Sequence, residues 1–192
     1  MDVMLFDTHL TTAEIEQGMP HVLSVPQNEG RLELIVRRPK IDQRETVIDA
    51  VLDVEHGLIG DNWLTRGSSR TSNGLGHPEM QLNLMNIRFA ELIAGDRKRV
   101  PLAGDQLFVD LDLSRENLPV GTRLAVGDAI IEVTAVPHLG CKKFVARFGI
   151  EAMKFVNSDH GRKHNLRGIN AKVVKGGSIR VGDGISVIAS QT

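Results

Sequence analysis

The sequence predicts a mainly β protein with minor α content, a strongly bent antiparallel β-barrel carrying a few short peripheral helices. Residues 124–133 and 179–187 each have a strand pattern, a Gly-Asp turn and a second strand pattern. Little helix lies between these two segments, which favours antiparallel hairpins over parallel βαβ units. A length of 192 residues suits one domain with a short extension. We therefore predict an N-terminal extension over 1–30 and a barrel domain over 31–190.

The extension is expected to contain one short helix. Thr11 and Glu14 have the spacing of a capping box, and Gly18 and Pro20 are expected to end the helix that it opens. Strand patterns begin at Arg31, where apolar and charged residues alternate, and a second β-branched run covers 47–54. The barrel domain is therefore expected to begin with these two strands.

The middle of the chain alternates turns, a long loop and short helices. Two glycines within 56–63 predict a tight turn, and residues 65–79 lack periodicity, which is typical of a functional or disordered loop. Helical spacing over 87–94 ends at Gly95, a plausible C-cap. Residues 141–157 have helical spacing that Gly149 interrupts, which predicts one broken helix or two consecutive short ones.

Composition excludes several classes of function. Lys and Arg total 23 against 24 Asp and Glu, so a net charge of −1 provides no general attraction for nucleic acids or anionic membranes. Aromatic residues make up 4%, which disfavours modules that stack bases. No apolar run is long enough for a membrane helix, and no secretion signal is recognisable. We therefore expect a cytoplasmic protein that binds neither nucleic acid nor membrane.

The single cysteine is the main candidate for chemistry. Cys141 excludes an internal disulfide and lies where the breaker segment 137–140 leads into a predicted helix. The helix N-terminus, with Lys142, Lys143 and Arg147 nearby, would stabilise a nucleophilic or metal-binding thiolate. The alternative is a small buried hydrophobic residue, which composition alone favours for a lone cysteine.

Other chemical motifs are weak or missing from the sequence. His138 could share an ion with Cys141, but zinc normally takes about four ligands. His160 and His164 have the pattern of an exposed surface pair. The sequence has no dinucleotide-binding glycine motif, phosphate-binding loop or serine-hydrolase elbow, so nucleotide and serine hydrolysis lack support. The arginines are dispersed along the chain, which favours ordinary surface positions over an anion site. Asp61, Asn62, Asn83 and Asn170 lie beside turns or strand ends, where turn formation is favoured over a hydrogen bond to a ligand.

An ordered series of short motifs resembles the MOSC domain, the C-terminal domain of molybdenum cofactor sulfurases. The motifs are Gly-Leu-Ile-Gly-Asp at 57–61, Gln-Leu-Asn-Leu-Met at 81–85, Gly-Asp-Gln-Leu at 104–107, Leu-Pro-Val-Gly at 118–121, Val-Gly-Asp at 126–128 and Glu-Val-Thr at 132–134, followed by Cys141. The resemblance extends from about residue 31 to 188 and implies the MOSC type of bent barrel.

The resemblance implies a role for Cys141 as a ligand of molybdenum in molybdenum cofactor (molybdopterin) or as a carrier of sulfur in a persulfide. A soft thiolate suits a metal that already has the sulfur ligands of the pterin. The cofactor-binding candidates are Asp61, Asn62, Asn83, His138, Lys142, Lys143, Arg147 and Arg167. Asn62 and Met80 stand where many relatives have arginine, so two cationic groups of the family pattern are absent.

The resemblance suggests either sulfur transfer or molybdenum-dependent reduction of N-hydroxylated compounds. A separate protein is expected to donate sulfur or electrons, and pyridoxal phosphate would enter only through a separate desulfurase. The alternative is a non-catalytic binding module whose barrel pocket holds a small anion or a partner protein. In that alternative, Cys141 is expected to be buried and slow to alkylate.

Overall fold

A computed structural model describes residues 9–189 of the chain, as five α-helices and eleven β-strands. Residues 1–8 of the expected extension and residue 190, the expected end of the barrel domain, lie outside the described residues. The helices are α1 (Thr12–Leu23), α2 (Trp63–Arg66), α3 (Ile87–Ala94), α4 (Lys142–Asn157) and α5 (Asp159–Lys163). The strands are β1 (Glu29–Arg37), β2 (Glu45–Val47), β3 (Asp49–Asp53), β4 (Gly57–Leu58), β5 (Leu82–Asn86), β6 (Leu107–Asp110), β7 (Arg123–Val126), β8 (Ala129–Val133), β9 (Ile169–Lys175), β10 (Gly177–Arg180) and β11 (Gly184–Ile188).

Seven strands form a closed barrel, which confirms the predicted fold class. Their order is β11-β7-β8-β9-β5-β6-β1, and pairing of β1 with β11 closes the sheet, while β2 extends it outside β1. Only β5 and β6 pair in parallel among these strands. Closure removes the free sheet edges that would otherwise pair with other chains.

The second predicted hairpin is wrong, whereas the first is confirmed. Strands β7 and β8 pair with each other across Gly127 and Asp128. Strand β10 instead pairs with β3 in a small three-stranded sheet, and β11 pairs with β7 and β1 in the barrel. The Gly-Asp turn therefore determines where the chain reverses direction, but strands distant in sequence determine which sheet each flanking strand joins.

The predicted strand over 47–54 is divided, and the alternation in the first strand is interrupted. Ile48 separates β2 from β3, which belong to different sheets. In β1 a bulge follows Leu32, so that Leu32 and Ile35 enter the barrel interior. Val36 packs on the opposite, helix-covered side. A bulge adds one residue to the strand and so shifts which side chains face each core.

The helix α1 forms with the predicted capping box, but it does not end where the sequence suggested. Thr11 Oγ1 accepts from the backbone N–H of Glu14, whose carboxylate accepts from the Thr11 N–H. The helix continues through Gly18 and Pro20 to Leu23. Packing of its apolar side against α3 outweighs the two helix-breaking residues. Ile15 is fully buried in this contact.

The two central helices follow the predictions. Helix α3 ends at Gly95, which adopts a left-handed conformation and donates its N–H to the Glu91 carbonyl. Helix α4 is interrupted at Gly149, with φ 88° and ψ 165°. Residues 67–77 of the predicted long loop are irregular, and a 3-10 turn follows at Pro78–Met80. No helix within residues 9–189 is long and apolar enough to cross a membrane.

Two apolar clusters lie on opposite sides of the barrel wall. One fills the barrel with aliphatic side chains from its strands and from the small sheet. The other lies between the outside of the wall and helices α1, α3 and α4, and it contains five of the six phenylalanines, including Phe108 of β6. The polar site described next is located where strand ends and the loops before α2 and α4 meet.

Candidate functional site

A buried ion pair between Arg38 and Asp61 anchors the site. Both side chains are almost completely removed from solvent, with exposed fractions of 4% and 0%. Arg38 donates from Nε to Asp61 Oδ2 at 2.8 Å and from Nη2 to Oδ1 at 2.9 Å. The backbone N–H groups of Arg38 and Trp63 add further bonds to the same carboxylate. Bidentate pairing of this kind fixes the guanidinium in one orientation.

A chain of amides continues from Arg38 across the barrel wall. Arg38 Nη1 donates to Asn83 Oδ1 at 3.1 Å and to the Gly104 carbonyl at 2.9 Å. Asn83 lies on β5 opposite Asn170 on β9, and its Nδ2 donates to Asn170 Oδ1. Asn170 Nδ2 in turn donates to the carbonyl of Val136, in the segment that leads to Cys141. Both asparagines are therefore committed to an internal network.

A second buried ion pair joins Arg167 to Asp105. Arg167 Nη1 lies 2.7 Å from Asp105 Oδ2, and Nη2 donates to the Ala103 carbonyl at 3.0 Å. The Arg167 guanidinium also lies over the Phe144 ring, 5.0 Å from the ring centre, which adds a cation–π contact with α4. His138 approaches this pair, with Nδ1 3.3 Å from Asp105 Oδ1.

Burial governs the charges around His138. Desolvation, then the positive charges of Arg167 and Arg38, lower the pKa of His138 well below its usual 6.5. Burial also raises the pKa of Asp105, and the nearby Arg167 opposes part of that rise. His138 is consequently neutral at neutral pH and adds no positive charge beside Arg167.

A cationic border, consisting of Arg44, Arg66 and Arg147, adjoins the Arg38 end of the network. Desolvation first, then Arg147 and Arg38, lower the pKa of Arg44. Desolvation and Arg38 likewise lower the pKa of Arg66. The Arg44 and Arg147 guanidiniums both lie near Gly104, within 3.6 Å of where a Cβ would stand. These positive charges repel one another, and a bound anion would relieve that repulsion, so the border favours an anionic ligand.

The first two turns of α4 carry basic side chains that lie beside this cationic border. Arg147 donates to the Leu102 carbonyl at 2.7 Å and lies 3.4 Å from Asp42. Lys143 lies 3.5 Å from the same carboxylate, which is exposed. Lys142 is exposed as well. One carboxylate thus faces two of the predicted cations.

Cys141 is exposed and occupies the N-cap position of α4. Its side chain makes no capping hydrogen bond, while its carbonyl accepts from the Val145 N–H. His138, three residues earlier, contacts the Asp105 pair, and Lys143, two residues later, contacts Asp42. The buried cysteine that composition favoured is therefore wrong, and the binding-module alternative loses its expected buried thiol.

Several buried polar atoms around the site lack a protein partner within the described chain. They are Arg44 Nε, Asn62 Oδ1 and Arg167 Nε, while Asp105 Oδ1 and His138 Nδ1 face each other at 3.3 Å without a well-formed hydrogen bond. Unpaired buried polar atoms are costly, so a concentration of them is typical of a place where ligand or water completes the bonding.

The structure brings most of the predicted site residues into one region. Asp61, Asn83, His138 and Arg167 belong to the buried network, whereas Asn62 precedes α2 without capping it through its side chain. Sequence analysis missed Arg38, Arg44, Asp105 and Gln106; of these, only the last two carried a signal, the Gly-Asp-Gln motif at 104–106. Gln106 donates to the Gln81 carbonyl and accepts from the Asn83 N–H.

The histidine pair remains outside this site. The His160 and His164 rings are 4.8 Å apart on and after α5. No group of three or more potential metal ligands from His, Cys, Asp and Glu occurs within residues 9–189. The arrangement therefore gives the pair no further metal ligand among these residue types in the described chain.

Comparison with known proteins identifies the family. The family model of the MOSC domain matches residues 89–186. The chain belongs to the MOSC domain family. The match includes Cys141, Arg167 and Asn170, together with strands β6–β10 and the first part of β11. A search of curated proteins found no match.

Solved structures similar to this MOSC protein support the same fold. The YuaD protein from Bacillus subtilis has a TM-score of 0.59 at 17% identity, covering 85% of this chain and 97% of that chain. YiiM from Escherichia coli has a TM-score of 0.53 at 19% identity, covering 84% of this chain and 71% of that chain. At these identities the likeness establishes the fold alone.

The donor set of the site fits a molybdenum cofactor. An exposed thiol is a suitable soft ligand for molybdenum, and the cationic border suits the anionic part of a pterin cofactor. Arg44 Nε and Asn62 Oδ1 are buried and unpartnered within the described chain, so both atoms can still form hydrogen bonds.

Proposed function

We propose that this protein binds molybdenum cofactor through Cys141 or carries sulfur on that residue, and that it serves sulfur transfer or the reduction of N-hydroxylated compounds. The observation that carries the proposal is the exposed Cys141 at the N-terminus of α4, a helix of a MOSC domain that also carries Arg147 of the cationic border. The bound cofactor would supply a redox-active metal. A separate protein would supply sulfur or electrons.

Different residues of this chain would bind the metal or sulfur, neutralise the anionic part of the cofactor and position the site. Cys141 Sγ would ligate the metal or hold the transferred sulfur, since it is exposed where a larger molecule can approach. Arg44, Arg66 and Arg147 would neutralise the anionic portion of the cofactor. The Arg38–Asp61 pair would act as a positioning element, because it holds the Gly60 turn against the start of β5 through Asn83.

Expression in a host that makes molybdenum cofactor tests this proposal. Gently purified wild-type protein is expected to contain molybdenum and a co-eluting pterin, or to show the added mass of one sulfur on Cys141. Cys141→Ser should lose the molybdenum or the added sulfur and keep the same circular dichroism spectrum. Equal molybdenum and sulfur contents in wild type and Cys141→Ser would contradict the proposal.

Charge variants separate cofactor binding from the chemistry of the thiol. Arg44→Gln is expected to reduce retained pterin severalfold, because it removes a partly buried cation of the border. Arg180→Gln is the matched control, since this exposed arginine pairs with Asp49 on the small sheet. Retention that falls equally in both variants would show that the border has no specific role.

A further inference from the structure

A second feature, here called the α5 cavity, lies beside the barrel end where β8 and β9 meet α5. It encloses about 490 Å³, within the range of small-molecule sites. Its walls come from the loop before β7, the segment 133–139 and the segment 161–170. These lining residues extend to Leu139 but do not include Cys141.

The α5 cavity is strongly biased towards positive charge. Arg115, Arg162 and Arg167 line it, and none of its lining residues is Asp or Glu. Within the described residues, neither Arg115 nor Arg162 has a carboxylate within 4.0 Å, and both side chains are exposed at the surface. In a chain of net charge −1, such a concentration of unpaired cations favours an anionic ligand.

One buried donor of a residue that lines the α5 cavity lacks a partner within the described chain. Arg167 is only 6% exposed, and its Nε makes no hydrogen bond within the described chain. His138 Nδ1, also buried, faces Asp105 Oδ1 at 3.3 Å and so is already turned towards a carboxylate. Asn170 and Thr134, which also line the cavity, already donate to the carbonyls of Val136 and Glu79. Arg167 Nε is therefore the donor that remains available to a ligand at the inner end of the cavity.

The remaining wall of the α5 cavity is apolar. Leu118, Val133 and Ile169 are buried residues of the barrel core that also line the cavity. Val120 lies at the mouth, where 65% of it is exposed. Apolar walls with a few polar groups at one end are typical of sites for small organic ligands, because the walls bind the hydrocarbon part and the polar groups fix its orientation.

We propose that the α5 cavity binds an amphipathic organic monoanion, a carboxylate with a compact apolar body. The carboxylate would accept from Arg167 Nε and be attracted by Arg115 and Arg162, while the apolar body would contact Leu118, Val120 and Ile169. A single negative charge matches the inner end, since Arg167 Nη1 already pairs with Asp105 Oδ2 at 2.7 Å. The α5 cavity shares His138 and Arg167 with the candidate site, but it goes beyond the proposed function because Cys141 is not among its lining residues.

Ligand-observed NMR and calorimetry with 4-phenylbutyrate test the proposal. Saturation transfer to the phenyl group is expected, with affinity at least tenfold higher than that of 4-phenylbutanol or inorganic phosphate, because each lacks one half of the ligand. Equal affinity for 4-phenylbutanol and 4-phenylbutyrate would show that the cations do not contribute to binding. Equal affinity for inorganic phosphate and 4-phenylbutyrate would show that the apolar wall does not contribute. Either result overturns the proposal.

Variants at the rim locate the binding without disturbing the buried ion pair. The double variant Arg115→Gln, Arg162→Gln is expected to weaken 4-phenylbutyrate about tenfold, whereas Arg180→Gln should leave it unchanged. Cys141→Ser should also leave 4-phenylbutyrate binding unchanged. Failure of the cofactor proposal can therefore be told apart from failure of this one. Binding that survives the double variant, or that disappears with Cys141→Ser, contradicts the assignment.

Discussion

The Arg38–Asp61 ion pair gives a quantitative test of the network that supports the site. Asp61→Asn keeps the size of the side chain but removes the charge that faces a guanidinium only 4% exposed. Arg38 would retain its bonds to Asn83 Oδ1 and the Gly104 carbonyl, but it would lose two charge-assisted bonds. A buried cation would then lack a counter-charge.

The expected loss in free energy of unfolding is about 3–5 kcal/mol, the range found when one partner of a buried ion pair is removed. For a domain of this size, that loss corresponds to a fall in Tm of roughly 6–20 °C. Urea denaturation followed by circular dichroism, with a reductant to protect the exposed cysteine, measures it directly.

Asp49→Asn is the matched control for this prediction. Asp49 pairs with Arg180 on the surface, with exposed fractions of 61% and 68%. Exposed pairs contribute less than about 1 kcal/mol because water solvates both charges when they separate. A loss below about 1 kcal/mol in Asp61→Asn, or similar losses in both variants, would refute the view that Arg38 depends on Asp61 for its charge compensation.

Three further predictions concern the histidine, the N-terminal helix and the break in α4. Burial lowers the pKa of His138, so its native state resists protonation; stability should be greatest above about pH 6.5 and decline below it, by at most about 1.4 kcal/mol per pH unit. His138→Gln should flatten this decline in urea unfolding measured at several pH values; an unchanged slope would contradict it. Ile15→Ala should cost about 2–5 kcal/mol by thermal or urea unfolding, since Ile15 is fully buried, whereas Leu23→Ala, at a 41% exposed residue, should cost much less. Gly149→Ala should lower the free energy of unfolding by about 1–3 kcal/mol, because residue 149 has a positive φ and a Cβ there would clash with His9. Gly184→Ala is the control, since a Cβ there meets open space, and it should change stability by less than about 1 kcal/mol. Equal effects would show that stability does not depend on a glycine at the break in α4.

Local patterns predicted the parts of the fold that local chemistry controls. The capping box at Thr11, the helix end at Gly95 and the break at Gly149 each depend on hydrogen bonds or φ angles within a few residues. The hairpin of β7 and β8 likewise follows from a two-residue turn. These features were predictable because neighbours along the chain are also the interacting partners.

Predictions failed where distant partners compete. The Gly-Asp turn near Asp183 was recognised, but β10 joined β3 and β11 joined β7, because pairing partners outside the segment determined the sheet of each strand. Gly18 and Pro20 did not end α1, since burial of Ile15 against the helices beside it stabilises the continued helix.

For the site, the sequence by itself determined the position of Cys141 at the start of a helix and the family resemblance from which we propose its role. Only the tertiary structure decided that Cys141 is exposed, and only it gathered Arg38, Arg44 and Arg167 near the same loops. A breaker followed by a helix is a local signal that one sequence contains. Clustering of charges depends on which strands pair and which surfaces become buried, and these long-range contacts have no signature in the spacing of residues along the chain.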